Sequence, residues 1–287
     1  MTVVRGPKTC LVADLGASSR EGDSCQGKPN QNVTLRHNQQ FVHIPKCGGS
    51  TVEHFLRMPF QGHREMYRGG PWGQACTPGG RFRTDLFTLL RHPVERLASQ
   101  YFFEMRANKK DMASFREVQE RLCMRGTGAA HNVACVPKLS FFQYAATRAG
   151  AALRRDRGYD DLQFHYLAPS QQSTLDDTKR FLSTHFILVG VTERLLEFKV
   201  LLAHIFSVPA ARITADVVKG SPSRPRIEAL LNASELAQVE ARNTLDLQLH
   251  RWAQERFEAC THSFGRQRLA ARVAEAEQRP LIGGLRC

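Results

Sequence analysis

At 287 residues the chain is long enough to bury one large α/β core, and no linker-like stretch divides its middle. Lys and Arg number 40 against 27 Asp and Glu, and the resulting charge of +13 attracts polyanions without naming one. The chain has no zinc-finger spacing, RNP-like aromatic motif or basic-region heptad, so no dedicated nucleic-acid module is expected. Its 8 cysteines are too scattered for a metal site, and none form a Cys-x-x-Cys pair.

In chain order, residues 1–39 are rich in Gly, Ser, Asn, Gln and charge and read as a flexible lead-in. A first strand is expected at 40–44, then a tight glycine turn and a helix over 50–58. Residues 61–83 read as loop, with Gly69-Gly-Pro71 and Pro78-Gly-Gly80 as turn signals. Leu86 to Leu90 is an unbroken apolar run, the pattern of a strand buried on both faces. Pro93 suits the first turn of the helix that follows to about 106, because its missing N–H has no partner there. Residues 111–158 read as helices, and Asp176–Ser183 as a short helix leading into a strand over Phe186–Gly190. Thr192 is expected to cap a helix running to Phe206. From Ser234, apolar residues at helical spacing predict one long amphipathic helix ending near Cys260, and 265–279 reads as a solvated helix or a disordered tail. Strands alternating with helices predict a parallel sheet with helices on both faces.

Two segments carry chemistry. Phe41-Val-His-Ile-Pro-Lys-Cys-Gly-Gly-Ser-Thr51 joins a strand to a helix through a turn holding Pro45, Lys46, Cys47, Gly48, Gly49, Ser50 and Thr51. Backbone N–H groups, a helix N-terminus and one ammonium gathered at a point form a phosphate cradle. A Walker A loop places its lysine after the glycines, whereas Lys46 precedes Gly48 and Gly49, so a kinase or NTPase loop is disfavoured. The second segment runs Leu86-Phe-Thr-Leu-Leu-Arg-His-Pro-Val-Glu-Arg-Leu-Ala-Ser99: Arg91 leaves the strand tip, and Ser99 follows about two helical turns into the helix.

Pro-Lys-x-Gly-Gly-[Ser/Thr] resembles the 5′-phosphosulfate loop of sulfotransferases that use 3′-phosphoadenylyl sulfate, and Arg-x-Pro…Arg-x-x-Ser resembles their 3′-phosphate site. The chain is similar to carbohydrate sulfotransferases of the heparan sulfate 2-O/6-O type. Weaker likenesses at Asp161–Leu167, Phe186–Glu193 and Asn243–His250 extend the resemblance over 40–262 and leave 263–287 as a tail. The resemblance implies a P-loop-like three-layer fold and transfer of a sulfo group from 3′-phosphoadenylyl sulfate to a sugar hydroxyl, the acceptor being an acidic, glycosaminoglycan-like polysaccharide. It implies Lys46 as a catalytic cation and Pro45, Lys46, Cys47, Gly48, Gly49, Ser50, Thr51, Arg91 and Ser99 as the donor-binding set. No metal is expected, because fixed cations neutralise the leaving phosphate and no acidic cluster stands out.

The general base is open between His63, which leads, and Glu65. His54 and His43 read as structural, the latter as a satisfied core histidine. Arg64, Arg68, Arg81 and Arg83 could grip an acidic glycan or simply be a solvated basic surface. The sequence departs from the family in a short interval between Lys46 and Arg91 and in His92, which stands where an acidic or amide residue is common. Cys123 with Cys135 is the expected disulfide if the compartment is oxidising, and the sequons at Asn32 and Asn232 are compatible with secretion. A Golgi-lumen location is implied by the resemblance, although no apolar span or signal-peptide core is visible; a membrane anchor outside this chain or a soluble enzyme would each reconcile the two. The alternative function is a non-catalytic polyanion-binding protein on the same scaffold.

Overall fold

The computed structural model describes residues 39–56, 85–107, 140–146, 160–170, 172–215 and 225–279. Two compact units divide the chain. The first is built from the segment ending at Arg91, Phe164–Gly220 and the segment from Leu249 onward; the second from His92–Gln163 and Ser221–Gln248.

The first unit holds a parallel sheet of three strands in the order β1 (Gln39–Val42), β2 (Asp85–Leu90) and β3 (Phe186–Val191). β2 is central, pairing Gln39 with Asp85 on one side and Leu90 with Val191 on the other. β2 and β3 lie within one residue of where their apolar runs predict them, while β1 ends at Val42, two residues short of the expected 44. Phe41, Val42, Leu86, Phe87, Leu89, Leu90, Phe186, Leu188, Val189 and Val191 are buried. Burial of both strand faces explains why these segments read as continuous apolar runs. The buried hydroxyl of Thr88 escapes a penalty by donating to the Val42 carbonyl at 2.8 Å.

Helix α1 (Gly49–Leu56) follows β1, burying Val52, Phe55 and Leu56. Beyond the regions of α2 (Pro93–Ala107), α3 (Phe141–Ala146) and α4 (Leu162–Leu167), helix α5 (Leu175–His185) leads directly into β3. Its start is legible: Thr174 accepts from the Asp177 N–H, and the Asp177 carboxylate accepts from the Thr174 N–H, a full capping box. Helices α5 and α6 (Leu195–Ile205) both pack against β3. The architecture is therefore α/β, mostly helical, with a small parallel sheet flanked by helices.

The second unit has its own core. Val94, Leu97 and Ala98 of α2 meet Phe141, Tyr144 and Ala145 of α3, Ile227 and Leu231, and Val239 of α7 (Ala233–Ala241). Full burial of each Val, Leu, Ile or Phe side chain among them is worth about 1.5–3 kcal/mol. Asn232, exposed in its sequon, caps α7 by accepting from Glu235 N–H at 2.9 Å.

Three expectations are corrected. The helix predicted from Ser234 to Cys260 is broken into α7 and α8 (Thr244–Phe264). At the break Arg242 donates to Asp160 and to the Ala146 carbonyl, while Asn243 donates to Val239 O and accepts from Asp161 N. Those tertiary bonds outweigh continued periodicity. Thr192 caps nothing: it opens a 3-10 turn (Thr192–Arg194), and α6 starts at Leu195 without a side-chain cap. The tail forms helix α9 (Arg266–Glu277), which packs on α6 and buries Leu269 and Ala276, so it is more than a solvated appendage.

Candidate functional site

The turn after β1 is set by covalent geometry. Cys47 N donates to Ile44 O at 3.3 Å, closing a turn with Pro45 second and Lys46 third at φ 68°. Proline at the second position and a positive φ at the third are what a type II turn requires. Holding a non-glycine residue there costs roughly 1 kcal/mol or more, a mark of local strain. Gly48, at φ 82°, supplies a second left-handed residue that only glycine adopts freely.

Gly49 is small for another reason. A Cβ placed on it would lie 2.1 Å from His43 Cδ2 and 2.3 Å from His43 Nε2. The imidazole therefore lies directly against the start of α1. It is fixed there by Glu53, whose Oε1 is 2.8 Å from His43 Nδ1, both side chains being 6 % exposed. The second carboxylate oxygen of Glu53 is buried with no hydrogen-bond partner among the described residues.

The loop is also held through its carbonyls. Arg91 Nη1 donates to Lys46 O at 3.2 Å from the tip of β2. Thr192 Oγ1, just past β3, lies 2.9 Å from Cys47 O and 3.0 Å from Leu90 O. Gly48 O accepts from the N–H groups of Thr51 and Val52. With these carbonyls engaged, the N–H groups of Gly48, Gly49 and Ser50 have no acceptor among the described residues. Three successive N–H groups without an acceptor at a helix N-terminus, with the part-buried Lys46 beside them, are the kind of arrangement that suits an anion.

The predicted residues divide accordingly. Pro45, Lys46, Cys47 and Gly48 form one turn that runs into Gly49, Ser50 and Thr51 at the start of α1, and Arg91 touches it in the same unit. Ser99 stands part-buried on α2, in the other unit. His54 is exposed, and His43 is buried and paired. His63, Glu65, Arg64, Arg68, Arg81, Arg83, Asn32, Cys123 and Cys135 lie outside the described residues. Cys47 is a buried free thiol, and Cys260 is disulfide-bonded.

Several groups escaped the sequence reading. Thr192 reaches the loop from 145 residues away, Glu53 pairs with His43 from the adjoining helix, and Glu193 pairs with His250 at 3.2 Å. Arg194 follows, bonded to Glu197 and Glu258 and stacked on Phe257 at 5.0 Å. The hydrogen bond to Glu197, followed by that to Glu258, raises the Arg194 pKa, and the Glu258 carboxyl is in turn held low by Arg194. In the second unit Arg96, taken in the sequence as part of the arginine–serine motif, is fully buried and donates to Gln100 at 2.8 Å.

Among the described residues no cluster of three or more His, Cys, Asp or Glu could hold a metal ion, and no helix is long and apolar enough to cross a membrane. No protein-family model matches the chain, and no curated protein matches it.

Proposed function

We propose that the chain is a 3′-phosphoadenylyl sulfate-dependent carbohydrate O-sulfotransferase, on a P-loop-like three-layer fold, acting on an acidic polysaccharide. The observation that carries the reading is the row of unengaged N–H groups at Gly48, Gly49 and Ser50 beside Lys46. Such a cradle fits a phosphosulfate: it offers fixed donors at no reorganisation cost where charge develops on the leaving phosphate. Arg91 reaches the loop from the tip of β2, donating to the Lys46 carbonyl, and its guanidinium places a fixed positive charge beside the cradle for a 3′-phosphate. The location that goes with this reading is the Golgi lumen.

In the reaction a sugar hydroxyl oxygen attacks sulfur in line. The bond from sulfur to the bridging oxygen breaks, 3′-phosphoadenosine 5′-phosphate departs, and the hydroxyl proton passes to a base, His63 or Glu65. Lys46 and the three N–H groups receive the negative charge left on the phosphate. The net charge of +13 favours an acidic acceptor, which would also be held by the arginines of 64–83.

Calorimetric titration with 3′-phosphoadenosine 5′-phosphate tests the reading on wild type, Lys46→Ala and Arg91→Ala. Micromolar binding to wild type, weakened at least tenfold in both variants by loss of a charge-assisted contact, is the expected result. No binding to folded wild type would overturn it and leave the polyanion-binding alternative.

A further inference from the structure

We propose that Thr192 is a positioning residue of the anion cradle, holding the peptide between Cys47 and Gly48 with its carbonyl outward and its N–H inward. This rests on the cradle being the donor site. The argument begins with peptide geometry. No cis bonds occur, so the Gly48 N–H points opposite to the Cys47 carbonyl of the same peptide plane. That carbonyl is 2.9 Å from Thr192 Oγ1, so the N–H faces away from β3 and into the cradle.

The orientation is not enforced by the loop alone. Turning this peptide over changes chiefly ψ of Cys47 and φ of Gly48, and glycine occupies both signs of φ at little cost. The turned peptide would put a carbonyl oxygen where a phosphate oxygen should bind, replacing attraction by repulsion. A clamp from outside the loop removes that alternative. Thr192 is built for it: its single hydroxyl hydrogen sits between Cys47 O and Leu90 O, linking the loop to the end of β2. Its methyl lies 3.5 Å from where a Gly48 Cβ would stand, so it also limits sideways movement. Arg91 restrains the preceding carbonyl, that of Lys46, from β2. Two neighbouring carbonyls are thus drawn toward the strand ends, and the donors that follow are presented together. The 3-10 turn separates Thr192 from α6, whose N-cap position falls at Arg194.

The test uses the full chain labelled with nitrogen-15 and follows the amide signals of Gly48, Gly49 and Ser50. Wild type, Thr192→Val and Thr192→Ser are titrated with 3′-phosphoadenosine 5′-phosphate and, separately, with inorganic pyrophosphate. Valine keeps the shape and loses the hydroxyl; serine keeps the hydroxyl and loses the methyl. The expected result is about fivefold weaker binding of both ligands by Thr192→Val, the worth of one hydrogen bond, with Thr192→Ser near wild type. Thermal unfolding of the two variants should not separate them in the same way. Thr192→Val binding as tightly as wild type, or valine and serine weakening binding equally, overturns the clamp. If wild type binds pyrophosphate but not the nucleotide, the donor reading falls and the pyrophosphate series decides the clamp. If the three amides respond to neither ligand, both ideas are overturned.

Discussion

Replacing Gly49 by alanine probes the contact on which the loop is seated. The added Cβ would stand 2.1 Å from His43 Cδ2, 2.3 Å from Nε2 and 2.6 Å from Cγ. Real Cβ atoms approach no carbon that closely, so either the ring or the start of α1 must move. The ring is not the loose end of a flexible side chain. It is buried and bonded to Glu53 at 2.8 Å, and swinging it away would leave a carboxylate already lacking one partner with none. Overpacking of this kind costs about 1–3 kcal/mol, and breaking the buried pair would add to it. Thermal unfolding should therefore show Gly49→Ala lowered by roughly 2–12 °C, at about 2–4 °C per kcal/mol for a domain of this size. The double variant Gly49→Ala/His43→Ala removes the clashing ring, so it should be more stable than the sum of the single effects by about 1 kcal/mol or more. A midpoint unchanged in Gly49→Ala, or strict additivity in the cycle, would refute the steric argument.

Two further outcomes are expected in regions distant from the loop. Asn232→Ala removes the α7 cap and should cost about 1 kcal/mol in urea unfolding, while Asn232→Asp, which can accept from Glu235 N–H, should cost much less; equal losses would show that the cap bond is not what matters. Asp177 is held below the usual carboxylate range, first by the Thr174 side chain and then by its backbone. A lowered folded pKa means its contribution is fully present above the unfolded value of about 4 and is lost as pH falls through the folded one. Asp177→Asn should accordingly reduce stability at pH 7 and flatten the loss of stability below about pH 4, with an unaltered acid limb counting against the capping box.

Much of the framework is legible locally. A strand buried on both faces must be largely apolar, so Leu86–Leu90 and Phe186–Gly190 announce themselves. Pro93 marks the start of α2 because its ring fits only there. The turn is also readable, since Pro45 and the two glycines state the backbone angles they permit. What the spacing does not distinguish is why each glycine is needed. Gly48 answers to a torsion angle, and Gly49 to a histidine that arrives from the preceding strand.

The helix break at Arg242 and Asn243 shows the limit in the other direction. Apolar periodicity runs straight through it, yet Asp160 and Asp161, more than eighty residues earlier, take the side chains that would otherwise sit on a continuous helix. Thr192 repeats the lesson, since as a residue before an apolar run it looks like a cap.

By itself, then, the sequence determined the strands and the turn, because those depend on torsional preference and on apolar pattern within a few positions. The tertiary structure alone decided what grips that turn: Glu53 through His43, Arg91 on the Lys46 carbonyl, and Thr192 on the Cys47 carbonyl. A hydrogen bond depends on where two groups meet in space, and the hydroxyl of Thr192 reaches a partner 145 residues away. No local preference encodes that meeting; it follows from β2 and β3 lying side by side with their ends at the loop.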